Sequence, residues 1–205
     1  METAKKSSIF GMPETEKVSH HKDRVIIFID GSNLYHILKN IKNKSKDKLT
    51  EFNFEGFVKH LAGDRKLIRT YYYTAPLDKK KDEKTYSKQQ QFFEKLKKIP
   101  DFELVLCRMM KENINGKEVY TVKEDDICLA IDMLKLAHKN AYDMAILVSS
   151  DGDFVPAIQA VKEEGKKIEN VGFEKKFSWH LRQKCDRFRQ LSHEEVRQFF
   201  HNNSC

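Results

Sequence analysis

The amino-acid sequence predicts an α/β domain, a three-layer sandwich with a mainly parallel central sheet. Three observations carry that expectation. Short apolar runs at 25–29 and 144–148 read as strands buried on both faces. They alternate with amphipathic segments of helical period, the order that builds βαβ units. Both runs end abruptly in acid and glycine, Asp30-Gly31 after one and Asp151-Gly152-Asp153 soon after the other. In an open parallel sheet such carboxyl ends line one edge, and ligands bind in the crevice there.

Residues 1–23 are polar and aperiodic, with Ser7, Ser8, Pro13 and the pair His20-His21, and read as a flexible tail. Adjacent histidines in a tail make no metal site by themselves. After the first strand, Ser32 opens a helix through Leu34, Tyr35, Ile37 and Leu38, which the basic, polar stretch 40–48 breaks. Phe54, Phe57, Val58 and Leu61 fall at i, i+3, i+4 and i+7, an amphipathic helix closing near Gly63. Residues 66–75, rich in β-formers such as Ile68, Thr70, Tyr71, Tyr72 and Tyr73, form a second strand stopped by Pro76. A helix over 86–98 turns Phe92, Phe93 and Leu96 inward, and a third strand covers 102–109. The turn residues 113–116 join it to 118–122 as a hairpin or as an excursion to the side of the sheet.

The strongest helical pattern runs from Asp125 to His138, with Ile127, Ile131, Leu134 and His138 on one face. The strand at 144–148, a helix around 154–164 ending at Gly165, and a strand at 167–171 come next. From Ser178 to Phe200 basic and apolar residues alternate, and the pattern reads as helical. No repeat or linker divides the chain. The expected organisation is a tail over 1–23, one domain over 24–190 and a helical extension over 191–205. Right-handed crossovers put the strands at 25–29 and 144–148 near the centre of the sheet.

A length of 205 residues suits a single core. No apolar stretch approaches a membrane span, and the first residues lead into no apolar signal segment. Cys107, Cys128, Cys185 and Cys205 are widely spaced with no C-x-x-C pair, and read as reduced thiols of a cytoplasmic protein. The formal charge is +7 and the pI about 9.1, an excess that favours a polyanionic partner. Many of these charges also serve plain solubility. The lysines Lys42, Lys44, Lys46 and Lys48, and the run Lys79, Lys80 and Lys81, are the candidates to grip a phosphate backbone.

Two acidic strand ends in one sheet gather Asp30, Asp151 and Asp153. Carboxylates so concentrated repel one another unless protonated or neutralised, and hard divalent ions such as Mg²⁺ take oxygen ligands. A metal site is the expectation. Asp126, at the start of the long helix, is a fourth acid, although a first-turn carboxylate can simply favour the helix dipole. Asp125 occupies the same helix start. Asp132 lies six residues beyond Asp126, roughly 9 Å along the axis at about 1.5 Å per residue, so it braces the site or joins a buried ion pair instead of sharing the ion. Asn33 can orient a carboxylate or cap its helix. Ser149 and Ser150 can bind a metal-linked water or satisfy the turn, and Gly152 permits the sharp reversal between the two acids.

Other chemistries place an aspartate at a strand end and fit less well. A haloacid-dehalogenase phosphatase needs D-x-D, and Ser32 stands at the second acid's position. A metal-dependent adhesion site needs D-x-S-x-S, and its fifth position is Leu34. No P-loop string and no G-x-S-x-G elbow occurs.

Three blocks carry a family resemblance: 28–34 (Phe-Ile-Asp-Gly-Ser-Asn-Leu), 123–133 (Lys-Glu-Asp-Asp-Ile-Cys-Leu-Ala-Ile-Asp-Met) and 149–154 (Ser-Ser-Asp-Gly-Asp-Phe). Together they resemble the signature blocks of NYN domains, PIN-like nucleases, and the match is similar to the LabA-like branch. The resemblance covers most of 24–190, with a closing segment at Leu181 and 185–188. It implies a PIN-like, Rossmannoid fold and Mg²⁺- or Mn²⁺-dependent cleavage of RNA. Asp30 falls on the family's first acid, Asp126 on its helix acid because Lys123 stands three residues before, and Asp151 and Asp153 on the acids after the later strand. Glu124-Asp125 replaces the Gly-Val usual there.

The mechanism implied is metal-assisted phosphodiester hydrolysis. Asp30, Asp126 and Asp151 would hold the ion, with Asp153 serving a second ion or positioning the attacking water. RNA is the expected partner, no membrane is expected, and a homodimer is compatible with the reading. The rival readings are a non-catalytic RNA-binding protein of this fold and a metal-dependent phosphatase or nucleotide hydrolase on the same acids.

Overall fold

The computed structural model describes residues 22–42, 51–107, 109–114, 117–122 and 125–201. Six strands form one parallel sheet: β1 (Arg24–Asp30), β2 (Lys66–Thr74), β3 (Phe102–Leu106), β6 (Met144–Val148), β7 (Lys167–Phe173) and β8 (Arg187–Leu191). Their spatial order is β3-β2-β1-β6-β7-β8. The chain winds outward from β1 in one direction, then restarts at β6 and winds the other way. The point where the order reverses is the β1–β6 seam, where a doubly wound sheet opens a crevice at its carboxyl edge. Ile27 of β1 lies beside Ile146 of β6, and the strand ends carrying Asp30 and Ser149 emerge side by side.

Two helical layers cover the sheet. One contains α1 (Gly31–Lys42), α2 (Phe54–Ala62), α3 (Glu83–Leu96) and α7 (His193–His201); the other contains α4 (Asp125–His138), α5 (Val155–Glu163) and α6 (Trp179–Lys184). Burial of β1 follows from this: six of its seven residues are buried, because alternate side chains enter opposite cores. Val25, Ile27 and Ile29 join one core with Leu34, Phe57 and Leu61. Ile26 and Phe28 join the other with Leu129, Met133 and Ile158. Asn53 caps α2 by accepting from the Gly56 amide at 2.8 Å, and Gly63 ends it at a positive φ of 62°.

Several expectations are corrected. The strand expected over 102–109 stops at Leu106, and the chain starts afresh as β4 (Met109–Ile114), antiparallel to β5 (Lys117–Val122) in a separate two-stranded sheet. The C-terminal stretch is not one helical pattern, since β8 separates α6 from α7 and completes the sheet's edge. Its alternation of basic and apolar residues matches a strand's period of two. On α4, Ile127 and Ile131 do share a face, but it is the outer one: they are 58% and 57% exposed. The buried series is Asp125, Leu129, Met133 and Ala137, at strict i+4 spacing. Tyr72 and Tyr73 are buried on opposite faces of β2, while Tyr71 is half-buried and stacks on Phe28 at 5.8 Å.

Candidate metal centre

Asp30 ends β1 at the seam, and its carboxylate is almost wholly buried. The local sequence accounts for its pose. The chain turns straight into α1, so the Asn33 amide donates to Asp30 Oδ1 at 2.9 Å, as an N-terminal helix amide should. Ser149, at the end of β6, donates its hydroxyl to Asp30 Oδ2 at 2.9 Å. Gly31 lets this turn sit tight, because a Cβ there would collide with the Tyr72 ring and the Tyr73 carbonyl. The Tyr72 hydroxyl in turn donates to the Gly31 carbonyl at 3.3 Å.

Asp125 and Asp126 open α4 and face the same spot. One carboxylate oxygen from each of Asp30, Asp125 and Asp126 lies within 4.8 Å of the others. Asp125 is the buried member of the helix pair. It accepts from the Ser32 hydroxyl at 3.0 Å and from the Asp126 amide at 3.2 Å. The sequence comparison of blocks favours Asp126 as the helix acid, and the structure brings in both. The sequence shows Asp125 only as a second acid at the same helix start, where one carboxylate is enough to favour the dipole.

Asp151 and Asp153 stand at the rim, outside this closest trio. Asp151 caps a short 3₁₀ turn (Gly152–Phe154), accepting from the Asp153 amide at 3.0 Å, while its own amide donates to Ser149 Oγ at 3.1 Å. Ser150 turns outward: its hydroxyl donates to the Lys176 carbonyl at 2.8 Å, and its amide donates to Asn33 Oδ1 at 3.3 Å. Asn33 therefore links the two strand ends. Asp132 lies apart from the cluster, accepting from the Tyr73 hydroxyl at 3.2 Å, with Lys135 3.9 Å away. Asn170, which sequence reasoning missed, is fully buried in β7 and donates to the Leu147 and Ser149 carbonyls at 3.2 and 2.9 Å. It pins the strand end that carries the serine, and beside Glu169 nothing in the sequence of β7 sets it apart.

Electrostatics agree with the geometry. Burial pushes the Asp30 carboxyl up to about 6, against the lowering effect of the Asn33 amide and the Ser149 hydroxyl, with the charges of Asp125 and Asp151 adding to the rise. Burial likewise pushes Asp126 up to about 7, helped by Asp30, Asp125, Asp151 and Asp153. Crowded carboxylates with nothing to neutralise them hold their protons, and a hard divalent cation offers them oxygen coordination instead. The donor set is all oxygen, so it fits Mg²⁺ or Mn²⁺ and not a thiolate-seeking metal. A cavity of about 500 Å³ opens at the opposite, amino-terminal edge of the sheet, among Lys22, Arg65, Glu169 and Arg189, and none of these acids lines it.

The basic candidates are placed unevenly. Lys42 ends α1, and Lys44, Lys46 and Lys48 lie outside the described residues. Lys79, Lys80 and Lys81 form an exposed turn after β2, on the carboxyl-edge side of the sheet, where Lys79 meets Glu83 at 3.4 Å. No described helix is long and apolar enough to cross a membrane. Among the described residues, Cys107, Cys128 and Cys185 form no disulfide.

Comparison with known proteins places this geometry in a family. A solved protein of unknown function from Vibrio parahaemolyticus superposes with a TM-score of 0.63 over 84% of this chain and 94% of its own, at 23% identity, and so shares the fold. An uncharacterized protein of Methanocaldococcus jannaschii is 38% identical over 61 residues, 30% of this chain; the match spans 25% of that protein's length. The NYN domain profile matches residues 24–192, which include every acid of the cluster. The chain belongs to the NYN domain family, a family of PIN-like nucleases.

Proposed function

We propose that this protein is a metal-dependent endoribonuclease that hydrolyses RNA phosphodiester bonds at the Asp30–Asp125–Asp126 cluster. The observation that carries the reading is the convergence of those carboxylates within 4.8 Å at the β1–β6 seam of an NYN domain. A Mg²⁺ or Mn²⁺ ion held there supplies positive charge toward the scissile phosphate and makes a bound water more acidic. The chain's own residues supply the rest. Asn33 and Ser149 hold Asp30 with both oxygens engaged, and Ser32 fixes Asp125, so little reorganisation is left for the reaction. Asp126 is only part-buried and offers its carboxylate from the solvent side. Asp151 and Asp153, at the rim, are the acids to orient the attacking water or to serve a second ion. Asn33 and Ser149 act through Asp30, Ser150 braces the strand end, and Asp132 lies too far from the acids to take part.

The test is incubation of the full chain with structured and single-stranded RNA, DNA and free nucleotides, each in Mg²⁺, Mn²⁺ or EDTA. Internal cleavage of RNA that EDTA abolishes, and that Asp30→Asn or Asp151→Asn removes from a folded protein, is the expected result. Hydrolysis of nucleotides with RNA left intact would assign a phosphatase instead. RNA bound and never cut would assign a binding protein.

A further inference from the structure

We propose that Trp179 is a stacking platform for an unpaired RNA base, placed beside the acid cluster, so that the substrate is single-stranded where it meets the site. The identity of the polymer rests on the ribonuclease reading above; the platform itself rests on separate observations. Trp179 is the only tryptophan of the chain and is 61% exposed at the start of α6. It is nevertheless held in place. The Arg182 guanidinium carbon lies 4.9 Å from the indole centroid and 5.3 Å from the Phe188 ring, so that one arginine contacts two aromatic rings. Phe177 meets the indole edge-on at 6.3 Å, with 78° between the ring planes. An indole supported in this way is restrained before any ligand arrives, which lowers the entropic cost of stacking.

Its position ties it to the chemistry. A Cβ built on Gly152 would lie 3.2 Å from Ser178 Oγ and 3.6 Å from His180 Nδ1, so the residues flanking Trp179 abut the turn that carries Asp151 and Asp153. The loop before it is tied to the same strand end, through Ser150 donating to the Lys176 carbonyl. Lys175, Lys176, Arg182 and Lys184, all exposed, lie within five residues of Trp179 in sequence, and their charge complements a polyanion next to the otherwise acidic site. Stacking accepts any base, because each presents a π face, but it needs that base free of its helical neighbours. A duplex withholds its bases, and a single strand offers them.

The single tryptophan makes the test direct. The full chain, in Ca²⁺ to suppress cleavage, is titrated with a fluorescein-free single-stranded RNA and with a duplex of equal length, while indole emission is read. The single strand should quench the emission and the duplex should leave it nearly unchanged. Anisotropy with a labelled strand should show Trp179→Ala weakening binding by between about fivefold and about a hundredfold, with Trp179→Phe recovering part of the loss. In cleavage assays the loss should fall mainly on KM. RNA binding with no change in emission, wild-type affinity in Trp179→Ala, or absence of RNA binding would overturn the platform. An emission shift that follows protein concentration without RNA would also overturn it, assigning the surface to self-association. Quenching in Ca²⁺ with no cleavage in Mg²⁺ or Mn²⁺ would sink the nuclease reading and leave the platform standing; cleavage without quenching would do the reverse.

Discussion

Ser32 donates a hydrogen bond of 3.0 Å to Asp125 across 93 positions of sequence, tying the turn after the first strand to the start of α4. Ser32 lies two residues from Asp30, and Asp125 one residue from Asp126. This bond therefore holds the two halves of the carboxylate trio in register, and it gives Asp125 a task that a spare acid at a helix start would not have.

Asp125→Asn should lower Mn²⁺ affinity of the full chain by about tenfold or more, and Ser32→Ala, which only frees the carboxylate, should cost less. Loss of a partner that orients a metal ligand commonly costs about 10–100-fold in affinity, the range expected for Ser32→Ala, and loss of the ligand itself exceeds it. Titration calorimetry reads this without any substrate. Unchanged affinity in Asp125→Asn, with Asp126→Asn defective, would reduce Asp125 to a structural acid.

Without a divalent ion, stability should fall as pH rises. Asp30 and Asp126 have folded-state values near 6 and 7 against an ordinary 3.8, so the folded protein binds these protons more tightly than the unfolded chain. Their stabilising contribution is full below about pH 4 and is lost progressively up to about pH 7. For Asp30 the loss is of order 3 kcal/mol, at about 1.36 kcal/mol per tenfold step; part-exposed Asp126 contributes less because solvent screens it. Melting curves in EDTA from pH 4 to 8 should show the decline. Asp30→Asn should flatten it, melt higher than the wild type at pH 8 in EDTA, and lose most of the rise in Tm that Mn²⁺ gives. A wild type and Asp30→Asn with parallel pH profiles would refute the assignment of the strain to this carboxylate.

How much of this was legible in the sequence differs between levels. The parallel sheet was, because apolar runs such as 144–148 have no polar face to offer water and must lie between two layers. The acidic edge was legible for the same reason, since a strand that ends in Asp-Gly can only place the acid where the sheet ends. The inward face of α4 was not. Ile127 and Ile131 are more apolar than Asp125 or Ala137, yet the helix must point Asp125 at Asp30, and that constraint turns the isoleucines outward. β8 was hidden for a related reason: an edge strand with Arg187 and Arg189 shows less of the apolar run that marks a central one. Which of two adjacent acids is buried depends on helix phase, and a distant Ser32 is part of that answer.

Gly31→Ala should destabilise the fold by about 2 kcal/mol or more, within the range of overpacked cores. The added methyl group would meet the Tyr72 ring and the backbone carbonyl of Tyr73, and the backbone cannot swing aside as a surface side chain can. Because Tyr72 is buried and bonded to the Gly31 carbonyl, its displacement would also loosen the turn that aims Asp30. Urea denaturation should show the loss, and Tyr72→Phe, which keeps the ring and drops the hydroxyl, should cost less. Wild-type stability in Gly31→Ala would mean that the β1–α1 turn is far looser than its packing indicates.

The lysine turn makes a separate claim about how RNA is held. Lys79 is paired with Glu83 only at an exposed 3.4 Å, an interaction weak enough to be given up to a phosphate. Replacing Lys79, Lys80 and Lys81 with Gln, alone and together with Lys42, Lys44, Lys46 and Lys48, should weaken binding alike across RNA sequences. Each lost phosphate contact should also reduce the slope of log affinity against log salt by about 0.7 on a single strand. Turnover at saturating RNA should change little, since these residues would stabilise bound substrate and transition state equally. Filter binding from low to moderate salt in Ca²⁺ separates this from solvated loops, which predict no change in affinity or slope. An unchanged slope in the combined variant would remove both lysine segments from the RNA path, leaving Trp179 and its neighbouring cations as the remaining contacts beside the acids.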